Sequence, residues 1–304
     1  MYRWVPILGR FQLEGETLIF KGGQTALEDG RPLYNVGNFV CDQHFGGGSI
    51  SAQVQFDDPL EIEACELILY YHPPTQAFIT AGLGGAGLCA VRSFTGQWRT
   101  FGSVGDRTQL RPGVSYDLLI SARGSQVSIR LDGVNVLTAN LPIPLPRGQA
   151  GVWCMGARDI RISNFTVTRE KPKAFVVMQF TPPYNELYTD VIRPVCDELG
   201  LQAVRTDETF GPGLIIADIA RQIVESNVVI ADITPANPNV YYEVGHAHAL
   251  GKPTILIAEK PTQLPFDVSP FRTLFYENTI GGKARVEAGL RKHLEAIQTQ
   301  WGAS

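Results

Sequence analysis

Two carboxylates on either side of a short polar turn carry most of the chemistry that can be read in this chain. Residues Val228–Pro253 read VVIADITPANPNVYYEVGHAHALGKP. The apolar run Val228–Ile230 ends on Asp232, and Thr234, Asn237 and Asn239 occupy the turn that follows. Asn237-Pro238 then makes a helix start, because Asn caps and Pro suits the first helical position. Glu243 falls in the second turn of that helix. This order predicts a parallel strand that delivers one carboxylate to a sheet edge and a helix that brings back another. Ligands of open α/β sheets bind at such edges, and a pair of carboxylates suits glycosidic-bond chemistry.

On the predicted helix Val240, Val244, Ala247 and Gly251 form the apolar stripe, with Glu243 roughly 70° from its centre. Glu243 is therefore expected at the margin of the core. Desolvation there raises a carboxyl pKa, and the positive helix terminus partly offsets the rise. Asp232, Asp218 on the preceding helix, and Asp207 after the second strand are the acids expected to approach it. Phe180 and Tyr184, which follow the first strand, join Asp207, Thr234, Asn237, Asn239, Tyr242 and His246 as candidate substrate-binding residues.

The elements that must position these groups fall into two halves. Up to about residue 168 the pattern has period two: Ile50, Ala52, Val54 and Phe56 alternate with polar residues, as do Tyr116, Leu118, Ile120, then Val127, Ile129, Leu131. Asp132-Gly133 fits a tight hairpin turn. Many short strands without a convincing helix predict a sandwich. Thr168–Lys173 is charged, contains proline and suits a linker. Beyond it strands and helices alternate. The strand Ala174–Phe180 is followed by a helix at about Tyr184–Leu199, kinked by Pro194. Then come a strand at Gln202–Arg205, a helix at Leu214–Ser226, the Val228–Asp232 strand and the Glu243 helix. Strands at Thr254–Ala258 and Thr273–Tyr276 and a final helix at Lys283–Trp301 complete the pattern. The expected fold class is thus two domains: an all-β jelly-roll sandwich over 1–168 and an α/β doubly wound parallel sheet of flavodoxin or Rossmann type over 173–304.

With 304 residues, 44% hydrophobic, 18% charged and a net charge of −4, the composition is that of a folded protein. Nothing in it calls for an extended nucleic acid, which needs clustered Lys and Arg. No apolar run reaches the ~20 residues of a membrane span. The five dispersed cysteines favour reduced thiols and a cytoplasmic location over a disulfide framework. His246 and His248 project about 160° apart on one helix, and no Cys/His set completes a zinc site. Gly82–Gly87 (GLGGAG) opens no helix, so a turn is expected there. Glu61, Glu63 and Glu66 (EIEACE) resemble the acidic strand of retaining glucanases, a role that requires Glu61 or Glu66 to face a cleft. Trp98 and Trp153, with Tyr70, Tyr71 and His72, suit a sugar or nucleotide platform or the core.

Two resemblances add to this. The Tyr116–Ile120 strand, the Val127–Val136 hairpin with its DGV, the GVW at 151–153 and the closing Ile160–Val167 strand together resemble concanavalin-like jelly rolls of the laminin-G and glucanase type. In the C-terminal half, Asp232, Tyr242-Glu243-Val244-Gly245 and Ala247 resemble the nucleoside 2-deoxyribosyltransferase and deoxynucleoside-monophosphate N-glycosidase superfamily, which shares a TIR-like fold. That resemblance implies that Glu243 attacks the anomeric carbon, Asp218 assists at the base, and Asp232 orients the nucleophile or sugar. It implies no cofactor. Asn237 stands where the monophosphate hydrolases place a serine, which puts 5′-phosphate specificity in doubt. TIR domains also carry a helical glutamate, and several cleave NAD. The fusion to a sandwich resembles sensor-plus-effector proteins of bacterial defence. The expected partners are a nucleoside, nucleotide or NAD, a glycan, nucleotide or protein ligand of the sandwich, and a possible second copy of the chain. The alternatives kept beside N-glycoside transfer or cleavage are an NAD glycohydrolase effector and a non-catalytic nucleotide-sensing or protein-interaction module.

Overall fold

Period-two alternation becomes antiparallel strands and strand–helix alternation becomes a parallel sheet in the computed structural model, which describes residues 2–57, 62–205 and 215–303. The chain divides into two compact units. One is built of residues 1–122, 126–141 and 146–170, the other of 123–125, 142–145 and 171–304.

The first unit contains fifteen strands among its described residues: β1 (Trp4–Leu8), β2 (Phe11–Glu14), β3 (Thr17–Phe20), β4 (Gln24–Ala26), β5 (Pro32–Phe45), β6 (Gly48–Phe56), β7 (Ala64–His72), β8 (Ala77–Leu83), β9 (Cys89–Phe94), β10 (Trp98–Val104), β11 (Ser115–Arg123), β12 (Gln126–Leu131), β13 (Val134–Asn140), β14 (Gly148–Gly156) and β15 (Ile160–Arg169). They form two antiparallel sheets. One runs β1-β5-β14-β7-β8-β9-β10 with β4 added on β5, the other β13-β12-β11-β6-β15-β3-β2. Two such sheets fit a jelly roll. The alternation seen in sequence is the burial pattern: Ile50, Val54, Phe56, Ile120, Val127 and Ile129 are all fully buried. The β12–β13 turn has both Asp132 (φ 49°) and Gly133 (φ 81°) in the left-handed region, as the mirror-image hairpin turn requires. In the GLGGAG segment Gly82 and Leu83 end β8, and Gly84–Gly87 enter the turn to β9 with no helix. All five cysteines are free and buried, Cys41, Cys65, Cys89 and Cys154 in this unit and Cys196 in the other.

The second unit is a five-stranded parallel sheet of β16 (Lys173–Val177), β17 (Gln202–Arg205), β18 (Val228–Asp232), β19 (Thr254–Glu259) and β20 (Thr273–Tyr276), in the order β17-β16-β18-β19-β20. The order reverses between β16 and β18, the switch point at which such sheets open a crevice. Helices cover both faces. Ala174, Val176, Val228, Ile230, Ile255 and Ile257 pack against α1 (Tyr184–Leu187), α2 (Arg193–Glu198) and α5 (Ile280–Ala303). The alternate residues Phe175, Val177, Val229, Ala231 and Leu256 pack against α3 (Ile215–Glu225) and α4 (Pro238–Ala249).

The expected kink at Pro194 takes the form of a π-helical stretch, Tyr188–Ile192, between α1 and α2. Proline has no N–H to continue the ladder, and widening the preceding turn keeps Tyr188, Val191 and Ile192 in the core. The expected linker shrinks to residues 170–172, because β15 continues to Arg169 and β16 starts at Lys173. No helix among the described residues is long and apolar enough to cross a membrane.

Candidate functional site

Asn237 shapes the entry to α4. Its side chain accepts a hydrogen bond from the Asn239 N–H (3.0 Å), and Pro238 takes the first helical position. Val240, Val244 and Ala247 are then buried against the sheet, and Glu243 is drawn in beside them at 9% exposure. It has no hydrogen-bond or ion-pair partner among the described residues. Burial alone raises its pKa from 4.5 to about 7.

Glu243 lines a cleft of about 680 Å³ with Met178, Gln179 and Phe180 after β16, Ile216 and Ile219 of α3, and Asn237, Pro238, Asn239, Val240 and Tyr242 of α4. The cleft opens at the C-terminal end of β16, where the strand order reverses. Its walls are mainly apolar. Phe180 and Tyr242 keep 39% and 53% of their surface exposed. Of the candidates read from sequence, Glu243, Phe180, Asn237, Asn239 and Tyr242 come together here.

The other described candidates are not among the residues that line it. Asp232 is fully buried on the opposite face of the sheet. It follows Val228 and Ile230 in the alternation of β18, and so points towards the α1, α2 and α5 side. The hydroxyl of Tyr276 donates to its Oδ2 (3.0 Å) and the Thr234 N–H to its Oδ1 (3.0 Å). Burial is the main reason its pKa rises from 3.8 to about 7; the two hydrogen bonds oppose the rise and the charge of Glu259 adds to it. The expected approach of Asp232 to Glu243 is corrected accordingly, because neighbouring positions of a strand serve opposite layers. Tyr184 belongs to Asp232's side. Its pKa is raised by burial, then by the charges of Glu259 and Asp232.

Thr234 ties two loops together, its hydroxyl accepting from the Glu259 N–H at 2.9 Å and meeting the Thr262 hydroxyl at 3.5 Å. Asp218 is half-buried and ion-paired with Arg221, one turn along α3, at 2.6 Å. The ring of His246 tilts against Tyr242 at 6.3 Å, and that of His248 stacks on Phe271 at 4.2 Å. Asp207 lies outside the described residues. Sequence reasoning missed Gln179, Ile216 and Ile219; the last two lie on an apolar face of α3, which gives no signal separating a cleft wall from core.

In the sandwich, Glu66 faces no cleft. It is fully buried and held by Arg92, whose Nη2 donates to Oε2 at 2.8 Å, and by the Thr80 hydroxyl at 2.7 Å. A carboxylate so engaged is not available as a nucleophile, and Glu61 lies outside the described residues. Arg92 also lies over the rings of Trp98 (3.8 Å) and Trp153 (5.1 Å). Trp153 packs into the core cluster with Val40, Ala64, Ile68, Tyr71 and Phe78, while Trp98 remains 38% exposed.

No family model and no curated protein matches the chain. Solved structures similar to its N-terminal half include the carbohydrate-binding module CBM66 from Bacillus subtilis, with 13% identity, 54% of this chain and 93% of that chain covered, and a TM-score of 0.42. A Bacillus licheniformis β-glucanase matches at 11% identity over 53% and 89% of the two chains, with a TM-score of 0.38. A Bacillus subtilis protein of unknown function with a galectin-like fold matches at 13% identity over 54% and 96%, with a TM-score of 0.35.

Proposed function

We propose that the C-terminal unit cleaves or transfers an N-glycosidic bond of a nucleoside-type compound, with Glu243 as the nucleophile. The observation that carries this is Glu243 itself: a carboxylate without a partner among the described residues, nine-tenths buried, on the wall of an apolar cleft at the sheet's switch point. The resemblance of Asp232, Tyr242-Glu243-Val244-Gly245 and Ala247 to the nucleoside 2-deoxyribosyltransferase superfamily supports it.

In the proposed step the ionised Glu243 attacks C1′, a C–O bond forms as the C1′–N bond breaks, and the base leaves with a proton from solvent. Water or an acceptor base then displaces the carboxylate and regenerates it. A pKa near 7 leaves a sizeable ionised fraction at neutral pH and makes that carboxylate a better nucleophile than an ordinary one. The β-sandwich serves as the recognition or regulatory module. Its partly exposed Trp98, packed with Phe94 (5.3 Å) and Trp153 (5.0 Å), is the surface that best suits a sugar ring or a base.

The test is incubation of the full chain with deoxynucleosides, ribonucleosides, their 5′-monophosphates and NAD, followed by chromatography for free base. Release should depend on Glu243 and be lost in Glu243→Gln. Release that continues undiminished in that variant ends the assignment. One observation favours a second reading, a module that holds its ligand without turnover: neither Asp232 nor Asp218 lines the cleft, so no second acid stands beside Glu243 among the described lining residues. Tight binding with no base released from any of these compounds would establish that reading.

A further inference from the structure

Away from Glu243, and independent of its assignment, the first unit holds a separate cavity of about 360 Å³. Its walls come from β1 and β2, which end the two sheets, and from β3 and β15. Three aromatic side chains, Tyr2, Trp4 and Phe165, line it together with Glu16, and the buried Leu18 and Ile162 lie beneath them. Tyr2 and Trp4 both meet Phe165 steeply, at 86° (5.6 Å) and 66° (4.9 Å) between ring planes. Rings set at such angles make the walls of a box. A flat stacking platform would need them nearly coplanar.

Each wall is placed by a local feature of the chain. β15 buries Ile160 and Ile162, so period two would send Asn164 inwards next. The pairing with β6 takes in one extra residue between Ser163 and Thr166, and Asn164 adopts φ 54° there. Such a bulge re-aims the side chains around it. Asn164 is accordingly exposed, and Phe165 is half-buried on the cavity wall. Left-handed backbone strains most residues, and Asn accepts it better than most. The Tyr2 ring is tied at its far end, its hydroxyl accepting from the Val167 N–H at 3.1 Å. Glu16 stands at the tip of the β2–β3 hairpin, where Gly15 has φ 63°, as the first position of a two-residue II′ turn requires. Its carboxylate has no hydrogen-bond or ion-pair partner among the described residues.

We propose that this box binds a methylated ammonium group, with Tyr2, Trp4 and Phe165 around the cation and Glu16 as its counter-ion. The faces of aromatic rings are negative, so a cation gains from being enclosed by several of them. A bare ammonium holds its water tightly and needs an acceptor for each N–H. Methylation removes those donors and spreads the charge over apolar methyls, which suit aromatic walls. A sugar ring stacks flat on one open face, whereas these rings enclose a compact group. Free choline-type amines and the trimethylated side chain of a lysine share this chemistry.

The test is a titration of the full chain, followed by ligand NMR, with choline and with its uncharged analogue, in which a tert-butyl group replaces the trimethylammonium. Choline is expected to bind about tenfold more tightly than the neutral compound. Trp4→Leu keeps apolar bulk and removes a ring face, while Glu16→Gln keeps the shape of the turn and removes the charge. Each is expected to weaken choline binding by about fivefold. Glu16→Gln should leave the neutral compound within about twofold of its wild-type affinity. That variant changes an exposed turn, so it decides the question even if Trp4→Leu fails to fold. A peptide carrying trimethyllysine, run beside its unmethylated form, separates the two sources. Preference for the methylated peptide over choline assigns the box to a protein partner and the reverse assigns it to a small amine; either supports the proposal. Equal binding of choline and its neutral analogue overturns it. So does choline affinity unchanged in Glu16→Gln, or failure of the folded chain to bind either cation.

Discussion

Replacing Glu243 by glutamine isolates the energetic consequence of burying that carboxyl. Moving its pKa from 4.5 to about 7 disfavours the ionised form by roughly 3 kcal/mol, at about 1.4 kcal/mol per pH unit. The sign follows from proton binding. Between pH 4.5 and 7 the folded protein keeps a proton on Glu243 that the unfolded chain has released. Stability therefore falls as pH rises through that window and levels off above about 7. Glutamine has nearly the same shape and cannot ionise, so Glu243→Gln escapes this loss. Relative to wild type, the variant should gain about 3 kcal/mol between pH 4.5 and pH 8.5. Asp232 imposes a similar dependence on both proteins and cancels in the difference. Urea unfolding followed by circular dichroism at 222 nm reads the C-terminal unit selectively, since α1–α5 all lie there. A difference that is the same at both pH values, within about 0.5 kcal/mol, would falsify the claim that Glu243 is desolvated and unpaired.

Three further outcomes are expected. Base release should rise with pH on an apparent pKa near 7, reflecting ionisation of Glu243; a profile flat from pH 5 to 9 contradicts a Glu243 nucleophile. Asp232→Asn keeps an acceptor for the Thr234 N–H and a group the Tyr276 hydroxyl can meet, on the face away from the cleft. It should therefore change kcat by no more than about threefold, and a loss of a hundredfold with the fold intact would restore the role that its family resemblance implies. Arg92→Ala strands the wholly buried Glu66 without its charge partner and should cost about 3–5 kcal/mol. Thermal unfolding of the variant at an unchanged midpoint would show that the pair is not structurally required.

The sandwich strands were legible because one-sided burial writes itself into sequence as alternation: Ile50 to Phe56 and Val127 to Leu131 read the same in both. The outer face of β7 was not, since Ala64, Glu66 and Ile68 are as buried as Cys65, Leu67 and Leu69 between them, and an acid in that run reads as a cleft residue until Arg92 is seen beside it. In the C-terminal unit, helical spacing alone placed Glu243 at the core's margin, where it lies. The partner expected for it could not be tested by spacing. Asp232 stands at the right end of β18, but which layer it faces depends on which helices cross to which side, and that is fixed only by the strand order β17-β16-β18. Along β18 the parity shared by Val228, Ile230 and Asp232 was already in the sequence. What was missing was that α4 covers the other parity, Val229 and Ala231.

The most direct measurement is mass spectrometry of the full chain quenched during turnover of an uncharged deoxynucleoside, carried out beside Glu243→Gln. The account predicts a deoxyribosyl adduct on the peptide that contains Glu243, with free base accumulating in wild type and neither adduct nor base in the variant. An adduct on another residue, or base released equally by both proteins, would contradict it.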